Sequence, residues 1–268
     1  MPVFASFQGG QSEPSTALGR AIRRRTLAKA DGLVIGSSAE EERLTALYEN
    51  LNIGRIFNPI DPTMWFPEDH DQCRAALALP DEARVAICHC RIDIHHKGLD
   101  FLLAAWRDVT TRAPDKDLRL HIVGDGADRD RFRAMIDEAP VPGLRWVDRF
   151  TQDRAEMRRE LSAADLHVQA SRHEGFAVAP MEAMACGLPT VLSRAPGAAD
   201  LLAGGEASGG RLVPVGDTAA LADELHALLT DDARRMQMAR AARHQVLAVG
   251  STDAVGRQLV DFLTNGNP

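Results

Sequence analysis

Two glutamates in one short run, Glu174 and Glu182, are the residues of this chain best placed to do chemistry. They lie in Ser171-Arg-His-Glu-Gly-Phe-Ala-Val-Ala-Pro-Met-Glu-Ala-Met-Ala-Cys-Gly-Leu-Pro189. The preceding Asp165-Leu-His-Val-Gln-Ala170 reads as a short buried strand, and Pro180 sits where a first helical turn tolerates a residue without an N–H. Glu174 is therefore expected at the carboxyl end of a strand and Glu182 inside the helix that follows. Gly175 lets backbone approach a ligand, and free N–H groups of Phe176, Ala177 and Val178, aided by the helix dipole, favour a phosphate. A carboxylate accepts hydrogen bonds from pairs of sugar hydroxyls. Taken alone, Glu182 could equally lie on a solvated helix face and Glu174 be a helix-start charge.

A second pair is cationic. Arg91 ends the strand at Cys88-His-Cys-Arg, and Lys97 opens the next helix in Asp93-Ile-His-His-Lys-Gly-Leu-Asp100. The planar fork of an arginine and the mobile charge of a lysine can flank a diphosphate and neutralise it as a leaving group. His95 and His96 beside Lys97 raise a metal site or a proton shuttle. Adjacent loop residues point apart, however, and no third ligand is spaced for zinc, so no metal is expected. His173 stands at the rim of the glutamate run. Gly124-Asp-Gly126 is a strand-end turn, and no nucleophilic triad, Walker loop or dinucleotide glycine pattern is convincing.

Composition bounds the rest. The 268 residues, 45% hydrophobic and 26% charged, suit a globular protein of one large or two modest domains. A net charge of −7 and 5% aromatic content argue against a general nucleic-acid binder, so a bound phosphate must meet local, placed cations. Cys73, Cys88, Cys90 and Cys186 show neither metal-ligand nor disulfide spacing and read as small core residues of a cytoplasmic protein. Met1 to Phe7 lacks the features of a signal peptide, and no apolar run approaches the roughly 20 residues of a membrane span.

These residues need a parallel α/β frame, and the chain has its pattern. Strand-like runs at 84–90, 118–123, 144–147, 166–170, 190–193 and 211–213 alternate with amphipathic helices carrying Leu99, Leu102, Leu103 and Trp106, or Leu221, Leu225, Leu228 and Leu229. A doubly wound sheet binds ligands outside the carboxyl ends of its strands, where Arg91, Gly124 and Glu174 all fall. The first 60 residues read as two strands, 3–7 and 32–36, with helices, one of them capped at Ser37. Two strands cannot bury a core alone.

The glutamate run resembles the Glu-x7-Glu signature of the retaining, nucleotide-sugar-dependent glycosyltransferases of the two-domain type B fold. That resemblance implies that Glu174 holds hydroxyls of the donor sugar, Glu182 holds the ribose, and Arg91 and Lys97 serve the diphosphate, with Cys90 replacing the family's usual Gly. The acceptor would attack the face that the diphosphate leaves, with no metal or other cofactor. Phe150, in Arg145-Trp-Val-Asp-Arg-Phe150, falls where the family contacts the base and is either a wall of that site or plain core; Asp148 stands where a Gly is common. Gln8 occupies the place of a family histidine on the acceptor side, which puts a proton role there in doubt. Ile56 to Pro67 resembles the family's interdomain linker. The resemblance therefore divides the chain into residues 1–60, a remnant of the acceptor-side domain, 61–250, the nucleotide-sugar domain, and 251–268, a terminal crossover helix. The other reading it leaves is a non-catalytic sugar-nucleotide-binding subunit, or a fragment, that needs a partner supplying the missing half. Base, sugar and acceptor stay unassigned. Arg20, Arg23, Arg24, Arg25 and Lys29 share a helix with Leu18, Ile22 and Leu27, a face that is either solvated or in peripheral contact with anionic lipid.

Overall fold

A computed structural model describes residues 3–7, 16–27, 29–48, 51–149, 151, 153–176 and 178–265. Its strands form two sheets, each parallel throughout. The smaller has the order β1 (Phe4–Phe7), β2 (Gly32–Ile35), β3 (Ile53–Arg55). The larger is built from β4 (Arg84–His89), β5 (Leu118–Val123), β6 (Leu144–Val147), β7 (Leu166–Gln169), β8 (Thr190–Ser193) and β9 (Gly210–Val213), in the order β6-β5-β4-β7-β8-β9.

The larger sheet is doubly wound because its central strands are mostly apolar and buried along nearly their whole length, and so demand cover on both faces. Val85, Ala86 and Ile87 of β4 are fully buried, as are Leu120 and Ile122 of β5. On one face the helix Leu99–Arg112 turns in Leu99, Leu102, Leu103 and Trp106, beside Leu221, Leu225, Leu228 and Leu229 of Thr218–Thr230. On the other, Met181 and Met184 of Val178–Ala185 meet Ala242 and Val246 of Asp232–Gly250. The chain winds outward from β4 through β5 to β6, then returns to β7 on the other side of β4, with Ile87 opposite His167. The strand order thus reverses between β4 and β7, which is where such sheets open a crevice at their carboxyl ends.

The smaller sheet has a third strand that sequence reasoning does not find. Ile53–Arg55 carries a glycine at its centre and a charge at its end, a poor strand signal. Tertiary packing overrides it: a Cβ on Gly54 would lie 2.7 Å from the Phe262 ring, so only glycine lets the terminal helix Thr252–Asn265 lie this close. That helix sets Val255, Leu259 and Phe262 against Val34 and Ile56, while Leu27, Leu33, Ile35 and Leu44 cluster separately. The linker and the return of the chain pass each other at one point. Ile60 N–H donates to the Gly250 carbonyl at 2.7 Å, and Thr252 N–H donates to the Ile60 carbonyl at 3.1 Å. Asp200 adds a second tie, accepting from Ser38 N–H at 2.8 Å and Arg55 Nη1 at 3.1 Å.

Of the apolar stripe on the basic helix Ala17–Leu27, Leu27 is buried, whereas Leu18 and Ile22 are 72% and 59% exposed. Arg20, Arg24, Arg25 and Lys29 are exposed, and Arg23 turns towards Glu40. No helix among the described residues is long and apolar enough to cross a membrane.

Candidate functional site

Glu174 follows β7, and one of its oxygens gathers three donors from both sides of the β4–β7 crevice. Oε1 accepts from Lys97 Nζ at 2.7 Å, from Ser171 Oγ at 2.6 Å and from the Gln169 side-chain amide. Gln169 also donates to Ser171 Oγ at 3.1 Å, so the carboxylate sits in a built cradle. Lys97 is the last residue of the short helix Ile94–Lys97, whose N-terminus is capped by Asp93, and its ammonium is engaged with Glu174. The loop that carries Glu174 is strapped from outside. Arg172 forks onto Asp100 at 2.8 and 2.6 Å, donates to the His95 carbonyl at 2.9 Å and lies 3.7 Å above the Phe101 ring. Burial acts to raise the Asp100 carboxyl, but the hydrogen bonds and charge of Arg172 outweigh it and hold it below the usual range.

Glu182 lies in the helix Val178–Ala185, with Pro180 in the first turn. Its Oε2 is 3.0 Å from His89 Nε2 at the end of β4, and both side chains are largely buried. Behind His89 the His167 ring stands edge-on at 5.3 Å, and His167 Nδ1 is 2.7 Å from Thr190 Oγ1. Complete burial, aided by the neighbouring His89, drives the His167 imidazole well below its ordinary value and keeps it neutral. In front of Glu182 opens a cavity of about 580 Å³ whose wall includes His89, Arg91, Gly124, Trp65 and Arg154. The exposed Arg91 side chain makes no hydrogen bond or ion pair among the described residues. Arg154 lies 6.0 Å over the Trp65 ring. Glu174 and Lys97 do not line this cavity. The structure thus brings Arg91 and Glu182 to one cavity and Lys97 and Glu174 into a second cluster at the same strand ends.

Several expectations change in detail. Val178 N–H is not free, because it donates to the Phe176 carbonyl at 3.1 Å as the helix tightens at its start. The Phe176 ring is edge-on to Phe57 with centroids 5.6 Å apart, so this side chain serves the junction with the linker. Asp148 takes the guanidinium groups of Arg129, at 2.9 Å, and Arg133. His173 joins His95 and His96, its ring 6.4 and 5.7 Å from theirs, because folding brings the β7 loop over the β4 loop. No group that could hold a metal ion occurs among the described residues. The four cysteines are free, and burial pushes the Cys186 thiol up to about 12. Gln8, Phe150 and Ala177 lie outside the described residues.

A family model described as "Glycosyl transferases group 1" matches residues 83–231, more than half of the chain. The chain belongs to the group 1 glycosyl transferases. It is 29% identical over 263 residues to D-inositol 3-phosphate glycosyltransferase 1 of Catenulispora acidiphila, covering 95% of this chain and 62% of that one. It is also 29% identical to the GDP-mannose-dependent monoacylated alpha-(1-6)-phosphatidylinositol monomannoside mannosyltransferase of Corynebacterium glutamicum, covering 74% and 51%. The chain therefore spans little more than half the length of these curated relatives. Among solved structures, sucrose-phosphate synthase from Thermosynechococcus elongatus superposes with a TM-score of 0.82 at 23% identity, covering 98% of this chain and 67% of that one. Anabaena HepE in complex with UDP gives 0.82 at 18% identity, covering 98% and 72%. The fold is accordingly that of a type B glycosyltransferase.

Sequence reasoning misses His89, Trp65, Arg154, Gln169 and Arg172. Gln169 and Ser171 stand beside Glu174 in the chain, and polar residues closing an apolar strand are a usable signal. His89 offers the same signal at the end of β4. Nothing local marks Arg172, whose partner Asp100 sits on another element.

Proposed function

We propose that this group 1 glycosyl transferase binds a nucleotide-sugar donor in the β4–β7 crevice and transfers the sugar with retention of configuration. The observation that carries the reading is the cavity lined by both the exposed Arg91 and the Glu182 carboxylate, at the strand ends where doubly wound sheets bind nucleotides. Glu182 suits the ribose hydroxyls, and Arg91 suits the diphosphate through its planar fork. Glu174, held in its cradle, keeps Oε2 for hydroxyls of the sugar. Lys97 has three donors, of which one goes to Glu174, leaving others for the departing phosphate. These cations supply the charge neutralisation, so no metal is required by the reading. The UDP bound in the HepE structure and the GDP-mannose dependence in the name of the corynebacterial relative support a nucleoside diphosphate as the common part of the donor. The smaller sheet and the terminal helix would contribute to the acceptor side.

Calorimetry in EDTA tests this. A nucleoside diphosphate should bind the chain without added metal, and Glu182→Gln should weaken that binding by about 1.5–3 kcal/mol, the worth of a charge-assisted hydrogen bond. Glu174→Gln should spare the free diphosphate and weaken only the sugar-linked donor. Equal losses for both ligands in both variants, or binding only with Mg²⁺ or Mn²⁺, would overturn the assignment.

A further inference from the structure

The Glu182 carboxylate does not stand alone on the cavity wall, and what holds it has no counterpart in the reading above. Its Oε2 is bonded to His89 Nε2 at 3.0 Å. His89 in turn is fixed by the interior: its Nδ1 is buried without a hydrogen-bond partner, and its ring rests edge-on against His167. His167 is fully buried and tied to Thr190. A line of side chains therefore runs from β8 through β7 and β4 to the cavity, Thr190 to His167 to His89 to Glu182.

Resting on the nucleotide-sugar reading, we propose that His89 is a positioning residue that sets Glu182 to recognise the vicinal diol of a ribonucleotide. Glu182 has three rotatable side-chain bonds and shares its wall with Arg91 and Arg154, two guanidinium groups that attract a carboxylate strongly. A Glu182 that swung to Arg91 would lose the ribose and neutralise the cation assigned to the diphosphate. A donor on Oε2 from the strand side prevents this. Because a carboxylate only accepts, the hydrogen of the His89–Glu182 bond must sit on Nε2. The tautomer with Nδ1 bare also avoids burying an N–H without an acceptor there. With Oε2 committed inward, Oε1 and the remaining lone pair of Oε2 face the ligand in a fixed plane, which suits two adjacent hydroxyls.

The test compares affinities of UDP, GDP and ADP with those of their 2′,3′-dideoxy forms, for the wild-type chain and for His89→Ala, His89→Leu and His89→Gln. Wild type should prefer the ribonucleotide, and His89→Ala and His89→Leu should lose that preference by about tenfold or more with little change for the dideoxy form. His89→Gln, whose amide nitrogen reaches the place of Nε2, should restore much of it, which a filler of the core would not do. Thermal melts of each variant show which of them fold, and the Leu and Gln variants keep the comparison available where Ala collapses. If wild type discriminates and His89→Ala discriminates equally, the inference falls while the nucleotide reading stands. Equal loss for both nucleotide forms assigns His89 to structure alone and likewise overturns the inference. If no nucleotide binds wild type, or the two forms bind alike, the reading of Glu182 falls and the inference falls with it.

Discussion

Gly36 and Phe176 touch so closely that a Cβ on the glycine would lie 2.3 Å from a carbon of the Phe176 ring. The contact joins the loop after β2 to the loop between Glu174 and Glu182, so the smaller sheet is felt directly by the candidate site. Gly36→Ala forces that ring to move and should cost about 1–3 kcal/mol, the usual range for overpacking. Nucleotide affinity should drop with it, and Phe176→Leu in the same chain should recover part of both losses. Urea unfolding and calorimetry of the two single variants and the double variant check this; simple additivity would mean that the contact does not couple them.

Arg172→Lys should loosen the strap over Glu174. Lysine cannot reproduce the fork onto Asp100 or the stacking on Phe101. The pair is partly exposed, so global stability should fall by only about 1 kcal/mol or less. Affinity for a sugar nucleotide should fall several-fold while that for the free diphosphate holds. Parallel titrations of the two ligands measure the split.

Arg74→Ala should be among the most destabilising single changes. Arg74 is 1% exposed and bonds the carbonyls of Pro80, Asp81, Ala83 and Ala163 as well as Asp165 at 2.6 Å. Removing it leaves a largely buried carboxylate with only Val85 N–H and the longer, 3.6 Å pairing to Arg235. A loss of about 3–5 kcal/mol is expected in denaturant unfolding. Arg74→Met combined with Asp165→Asn should lose less than the sum of its parts.

Acid should find His167 before it finds the carboxylates. Folded, this imidazole is held neutral by burial, with its value well below the ordinary 6.5; unfolded, it takes up a proton as pH falls through 6.5. The unfolded state then binds more protons, so folding stability declines with falling pH below that point, by at most about 1.4 kcal/mol per pH unit. Stability is undiminished above it. His167→Gln should flatten the slope between pH 7 and pH 5.5 relative to wild type in urea titrations. Identical slopes would show that His167 titrates alike in both states.

The larger sheet was legible because parallel strands covered on both faces must be mostly apolar, and runs such as Val85 to Cys88 can hardly be anything else. Leu221, Leu225, Leu228 and Leu229 declared the buried side of their helix by spacing alone. The placement of Arg91 and Glu174 at strand ends, and of Glu182 in the helix that follows, was legible from the apolar runs before them and from Pro180. Their pairings were not. Lys97 could be seen near Glu174 only by folding 77 positions of chain back on itself, and His89 near Glu182 only across 93. Short-range pattern carries no information about which donor reaches which acceptor at such separations. The strand at Ile53–Arg55 escaped for the same reason: its glycine is explained by Phe262, which lies far along the chain from it.

Phe262 has a consequence in time as well as in space. Its ring covers Gly32 and Gly54 and meets Phe4 edge-on at 5.7 Å, so the smaller sheet is closed on one face by a residue made long after its strands. On the ribosome, at about 5–20 residues per second, β1 to β3 emerge on the order of ten seconds before the side chain that completes them. Through that interval the six-stranded body can form and dock its helices, while β1 to β3 wait with one face open to whatever chaperone or sticky neighbour is at hand. A stop codon just after Gly250 would make the wait permanent, turning a late finishing step into a standing liability for aggregation.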